Sequence, residues 1–217
     1  MKEILTFLNG LKKNNNRDWF EAHRESYQAA RDLFIEMIRQ LVAGIAKFEP
    51  EVAGLRPKDC LFRINRDIRF SNDKRPYKGN FGAVINKGGK KSEFAVYYFH
   101  LQPGNESIVA GGIYMPQPET LKRIRQEIDY NPDPLIDLMH TREFEKYFGD
   151  FTDNRLKRPP KGYDEENPQI GLIKLKDYIV VRSFTDKEVT SPGFLKEVLK
   201  SFKAMKPLND YLNMAIE

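Results

Sequence analysis

Residues 60–80 read C-L-F-R-I-N-R-D-I-R-F-S-N-D-K-R-P-Y-K-G-N. From Phe62 to Phe70 the even positions are Phe62, Ile64, Arg66, Ile68 and Phe70, and the odd ones are Arg63, Asn65, Asp67 and Arg69. A period of two predicts a half-buried strand with a polar row on one face. Arg66 interrupts the apolar row and must find an acceptor or reach a sheet edge. Beyond Phe70 the pattern gives way to the turn chemistry of Ser71, Asn72, Asp73 and Pro76, and Pro76 biases Arg75 away from helix.

Working outward, 81–86 and 93–100 flank Lys87-Gly88-Gly89-Lys90 and form a hairpin by composition and spacing. The second of these runs is apolar at both parities, as a central strand would be. Residues 107–115 follow as its neighbour, and Tyr178–Phe184 is a further strand. On the N-terminal side, 4–12 reads as a short helix stopped around Asn14–Asn16. A capping box at Asn15 and Asp18 then opens a stripe through Phe20, His23, Tyr27, Ala30, Phe34, Met37, Leu41, Ile45 and Phe48. That is one long helix over 16–48, with Gly44 as the place for a break. Helices are also expected at 119–130, 134–140 and 142–148. The 191–216 segment starts with Ser191-Pro192 and is interrupted at Pro207.

The expected fold class is α+β: one domain over 1–217, with a mainly antiparallel sheet of four to six strands from 60–115 and 177–184. The long N-terminal helix and the C-terminal helices pack on it. At 217 residues with 40% hydrophobic content, the chain has ample material for a core. It has no apolar run of the roughly 20 residues that span a bilayer and no signal-peptide pattern, which predicts a cytoplasmic protein without a membrane partner. Cys60 is the single cysteine, so an internal disulfide and a thiolate zinc cage are excluded.

Charge is local. Residues 56–91 hold eleven Lys or Arg against three Asp, a surplus of eight, in a chain whose formal net charge is +5. A local positive field steers an anionic partner. The candidate ligand-binding residues are Arg63, Arg66, Arg69, Lys74, Arg75 and Lys78, interleaved with the rings of Phe62, Phe70 and Tyr77. A second basic loop adds Lys157, Arg158 and Lys161. The two loops share the pattern K-R-P-x-K-G at 74–79 and 157–162. They are either two Pro-stiffened arms of one anion clamp or two solvated loops. Arg63, Asn65, Asp67 and Arg69 likewise form either a structural network bridged by Asp67 or an oxyanion site in which Asp67 orients the arginines or serves as a base. His23, on the apolar helix stripe, is the other candidate for proton transfer, in a position more usual for a structural histidine. No two of His23, His100 and His140 have metal-ligand spacing, and there is no P-loop, G-x-S-x-G or G-x-G-x-x-G motif. No metal and no cofactor are therefore expected. Gly111-Gly112, inside a strand, reads as a bulge or a place where a ligand nears the backbone.

The runs N-R-D-W-F at 16–20, H-R at 23–24, L-F-R-I-N-R-D-I-R-F-S-N-D-K-R-P-Y-K at 61–78, G-G-I-Y-M-P at 111–116 and L-K-R-P-P-K-G-Y at 156–163 resemble a widespread microbial family, domain of unknown function 2461. The resemblance spans essentially the whole chain. It implies a common single-domain fold and transfers no catalytic residue. Two function classes follow from the residues. One is a protein that binds, or acts on, a phosphorylated small molecule such as a nucleotide. The other is a protein or nucleic-acid interaction module with an exposed basic face. A concave cationic pocket favours the first, and a flat basic face the second.

Overall fold

The computed structural model describes residues 1–217. The strands β1 (Phe81–Ile85), β2 (Val96–Leu101), β3 (Ser107–Ile113) and β4 (Tyr178–Phe184) form one antiparallel sheet in the order β1-β2-β3-β4. The fold is α+β, as the sequence pattern requires. In chain order the helices are α1 (Lys2–Lys13), α2 (Arg17–Ala22), α3 (Arg24–Ile45), α4 (Pro57–Cys60), α5 (Pro118–Tyr130), α6 (Asp133–Met139), α7 (Arg142–Tyr147), α8 (Ile170–Ile173), α9 (Asp186–Val189) and α10 (Phe194–Ile216). No helix is long and apolar enough to cross a membrane. The chain divides into two compact units. The first comprises Met1–Ile85, Tyr98–Val109 and Ser183–Leu199, and the second Asn86–Tyr97, Ala110–Arg182 and Lys200–Glu217.

In the first unit, α1 buries Ile4, Leu5, Phe7, Leu8 and Leu11 along one side and packs on α3. Asn16, rather than Asn15, caps α2 by accepting from the Trp19 N–H. The expected long helix is interrupted at His23, and α3 ends at Ile45, one residue past Gly44 and short of Phe48. The His23 imidazole is stacked on Trp19 at 4.0 Å, and its Nδ1 donates to the Trp19 carbonyl at 2.8 Å. Gly44 allows a close approach, since a Cβ there would lie 2.5 Å from Leu199 of α10. The Phe34 ring of α3 lies 5.4 Å from Phe81 and 5.8 Å from Phe99, centroid to centroid, which seats the helix on the sheet.

In the second unit the two strand glycines are explained by close approach of protein atoms. A Cβ on Gly111 would meet Met205 Sδ at 2.1 Å, and one on Gly112, at φ +106°, would meet the Tyr178 carbonyl oxygen at 1.9 Å. The expected interruption at Pro207 does not occur, and α10 continues through it. An interior proline costs about 3 kcal/mol. The same stripe, however, buries Phe202, Met205, Leu208 and Leu212 completely, each contributing about 1.5–3 kcal/mol. Pro207 itself is exposed.

The stretch 62–70 forms no strand. Its only ladder-like pairings are isolated bridges, Leu61 with Ala83 and Asn65 with Tyr77.

Candidate functional site

The segment 61–83 folds back on itself as an irregular hairpin. The Phe62 N–H donates to Gly82 O at 2.9 Å, Lys78 N–H to Ile64 O at 2.8 Å, and Arg66 N–H to Pro76 O at 2.9 Å. Pro76 limits the ladder, having no N–H to give to Arg66 O. The outward-facing backbone groups of Tyr77 are held by Asn15, from the turn before α2: its Nδ2 donates to Tyr77 O at 3.0 Å and its Oδ1 accepts from Tyr77 N–H at 3.1 Å. The Tyr77 ring is buried and stacks on Phe20 at 4.1 Å. Ile64 is also buried, while Arg63, Asn65, Asp67 and Arg69 are exposed. The alternation holds in burial only from Arg63 to Arg69, with Ile64 buried and Arg66 and Ile68 partly so; Phe62 and Phe70, expected on the buried face, are exposed.

Beside this hairpin lies a cleft of about 400 Å³. The hairpin supplies Arg66, Asp73, Arg75, Lys78 and Asn80, and the facing wall supplies Lys12, Gln102 and Glu106. Asp73 sits between two guanidiniums. It accepts from Arg75 Nη2 at 2.7 Å and Nε at 3.0 Å, from the Arg75 backbone N–H at 3.0 Å, and from Arg66 Nη1. The Arg75 contacts, with Arg66 adding to them, hold the Asp73 carboxyl well below the usual carboxylate range. Lys78 has no carboxylate of its own. Its ammonium stands 5.3 Å from the centroid of the Phe62 ring. Burial, reinforced by the nearby charge of Arg63, pulls its pKa below the ordinary lysine value.

The facing wall is backed by a chain of hydrogen bonds along one side of β2, from residues two apart on the strand. Gln102 donates through Nε2 to Glu106, whose other oxygen accepts from Lys12 Nζ at 3.2 Å. Gln102 Oε1 is therefore the acceptor for His100 Nε2–H at 3.0 Å, and His100 Nδ1 accepts from the Tyr98 hydroxyl at 3.0 Å. Burial pushes the Tyr98 phenol up to about 12 and holds His100 below its ordinary value, so the imidazole is neutral and the phenol is the donor. Gly82 leaves room for this end of the chain, since a Cβ there would come within 3.0 Å of the Tyr98 hydroxyl. Chemically, the cleft offers cationic donors for an oxyanion on one wall and oriented amides on the other.

The structure brings Arg66, Arg75 and Lys78 together at this cleft, with Arg63 close by. Arg69 and Lys74 are at the hairpin tip outside it: Arg69 pairs with Asp67 at 2.7 Å and Lys74 Nζ donates to Ile68 O at 3.1 Å. Asp67 is held low by Arg69 and does not line the cleft. His23 lines a different and larger cavity of about 1100 Å³ among Phe7, Trp19, Ala30 and Leu33. The surface of that cavity is chiefly apolar and its charged lining, Glu3, Asp32 and Glu36 against Lys2, is net negative, so the smaller, cationic cleft is the candidate anion site. Lys157, Arg158 and Lys161 are exposed and belong to the second unit. No three His, Cys, Asp or Glu side chains converge as a metal site needs.

The sequence pattern missed Lys12, Asn80, Gln102 and Glu106, and behind them Tyr98 and His100. One signal was available: Tyr98, His100 and Gln102 share a parity.

Fold and cleft together define an α+β protein with a cationic cleft on an irregular hairpin. The family model described as conserved hypothetical protein (DUF2461) matches residues 3–211, and the chain belongs to that family. Among curated proteins and among solved structures, none matches the chain.

Proposed function

We propose that the protein binds a small phosphorylated anion in the cleft of Arg66, Arg75 and Lys78, with Arg63, Arg69 and Lys74 steering it inward. The observation that carries this reading is Lys78, a half-buried ammonium beside Arg63 with no carboxylate partner. A desolvated cation without a counter-ion is costly, and an incoming oxyanion removes that cost. The volume of about 400 Å³ lies in the range of small-molecule sites. The test is a thermal-shift series with inorganic phosphate, pyrophosphate, sugar phosphates and nucleotides at low salt. A ligand at 100 times its Kd stabilises by about 2.7 kcal/mol, which for a chain of this size raises Tm by about 5–10 °C. The shift should shrink with added salt and disappear in Arg66→Ala. A flat response to every phosphorylated compound, or a shift that survives Arg66→Ala, would refute the reading.

A further inference from the structure

Of the three rings that the sequence interleaves with cations, two are occupied. Tyr77 is buried against Phe20, and Phe62 carries the Lys78 ammonium and meets Tyr98 edge-on at 6.3 Å. Phe70 is 96% exposed. The tip that presents it is nonetheless held in place. The Arg69 guanidinium lies 5.7 Å from the Phe70 centroid and is itself fixed by Asp67, through Nε at 3.0 Å and Nη2 at 2.7 Å. Lys74 ties down Ile68 O on one side. On the other, the adjoining Ser71 hydroxyl accepts from Nη2 of Arg66, a residue of the cleft, at 3.4 Å.

We propose that Phe70 is the stacking platform for the base of a nucleoside monophosphate whose phosphate occupies the cleft; this rests on the anion-site reading above. An aromatic ring backed by a guanidinium and bare to solvent suits a nucleobase, because every base offers a π face. Charge narrows the class further. Lys12, Arg66, Arg75 and Lys78 exceed Asp73 and Glu106 by two positive charges, and a phosphomonoester carries about −1.5 to −2 at pH 7. Insertion into a bilayer fits less well, since Phe70 stands between Arg69 and the polar Ser71-Asn72 with no apolar face around it.

The experiment is calorimetric titration of the full chain with adenosine monophosphate and with ribose 5-phosphate. The variants are Phe70→Ala, Phe70→Leu and Phe70→Trp, all at a side chain that contributes nothing to the core. The wild type should prefer the nucleotide. Phe70→Ala and Phe70→Leu should weaken adenosine monophosphate by about 5–20-fold and leave ribose 5-phosphate unchanged, and Phe70→Trp should restore the preference. Equal affinity for the two ligands in the wild type would overturn the stacking role while leaving the anion site standing. So would an equal loss of both in Phe70→Ala. Affinity that climbs with oligonucleotide length would overturn it in favour of a single strand, and capture by anionic phospholipid vesicles that Phe70→Ala abolishes would overturn it in favour of a membrane surface. Binding of neither ligand would sink the anion site and the platform together.

Discussion

Lys78→Met separates a binding cation from a structural one, because the two roles predict opposite signs. Methionine keeps the apolar stem near Phe62 and removes only the ammonium. In the unliganded protein that ammonium is disfavoured by burial and by Arg63. Its removal should therefore stabilise the fold, by less than about 1 kcal/mol once solvent screening and the lost contact with the Phe62 ring are counted, a rise in Tm of at most about 4 °C. The same substitution deletes one charge-assisted hydrogen bond to the ligand, worth about 1.5–3 kcal/mol, or about 10–150-fold in Kd. The pH dependence provides an internal check. The lysine value is lowered on folding, so the unfolded chain binds the proton more tightly, and stability rises with pH through the window between the folded value and 10.5. The advantage of Lys78→Met over the wild type should accordingly shrink as pH climbs toward 10.5. Urea unfolding of both proteins at neutral and alkaline pH, with titration of the phosphorylated ligand at neutral pH, reads all three quantities. A variant less stable than the wild type, or one that keeps its ligand affinity, would refute the reasoning.

Three further outcomes are expected. His100 is held neutral by burial, so the stability it contributes is complete above the ordinary imidazole value of 6.5 and is lost as pH falls through it toward the lower folded value; between pH values of about 7.5 and 5.5 the wild-type urea midpoint should drop more than that of His100→Gln, and parallel slopes would be the contrary result. Gly112→Ala places a Cβ against a backbone carbonyl at positive φ, whereas Gly111→Ala presses on the unbranched, repackable side chain of Met205; the first should cost more than about 4 kcal/mol or prevent folding and the second about 1–3 kcal/mol, and equal midpoints in denaturant would contradict the geometry. Asn15→Ala strands the N–H and C=O of Tyr77, at about 1–3 kcal/mol; amide exchange at Tyr77 should accelerate, and unchanged protection would show that the side chain is dispensable.

The four strands were legible because each is a short apolar or alternating run bounded by turn residues, and α1 and α3 because their buried positions recur at three and four. The failures each have a physical cause. The 62–70 alternation predicted burial at Ile64 but not the exposure of Phe62 and Phe70, and Pro76 withholds the N–H that a ladder with Arg66 would use. Gly44 was legible as the weak end of the helix, which stops at Ile45, but the reason for a glycine there, Leu199 against it, was not. Pro207 looked like a stop, but the apolar stripe on both sides of it outweighs one lost hydrogen bond.

At the cleft the cations were legible from charge density alone, and the facing wall was not. Lys12 sits in a helix with a small surplus far from the basic stretch in sequence, Gln102 and Glu106 sit in a segment with none, and Tyr98 counted as an apolar residue on a strand whose other face, Tyr97, Phe99 and Leu101, is buried. What remained undecided in the sequence was whether the arginines form a balanced structural network. Asp67 with Arg69 is such a balanced pair, and Asp73 serves Arg66 and Arg75 at once. One carboxylate for two guanidiniums leaves a single positive charge over. Lys78 adds a second: it is half-buried, near Arg63, over an aromatic face and without a carboxylate. The unliganded cleft is therefore short of two negative charges, and Lys78 Nζ is the atom with no carboxylate at all. The proposed anion site rests on that shortage more than on the number of arginines.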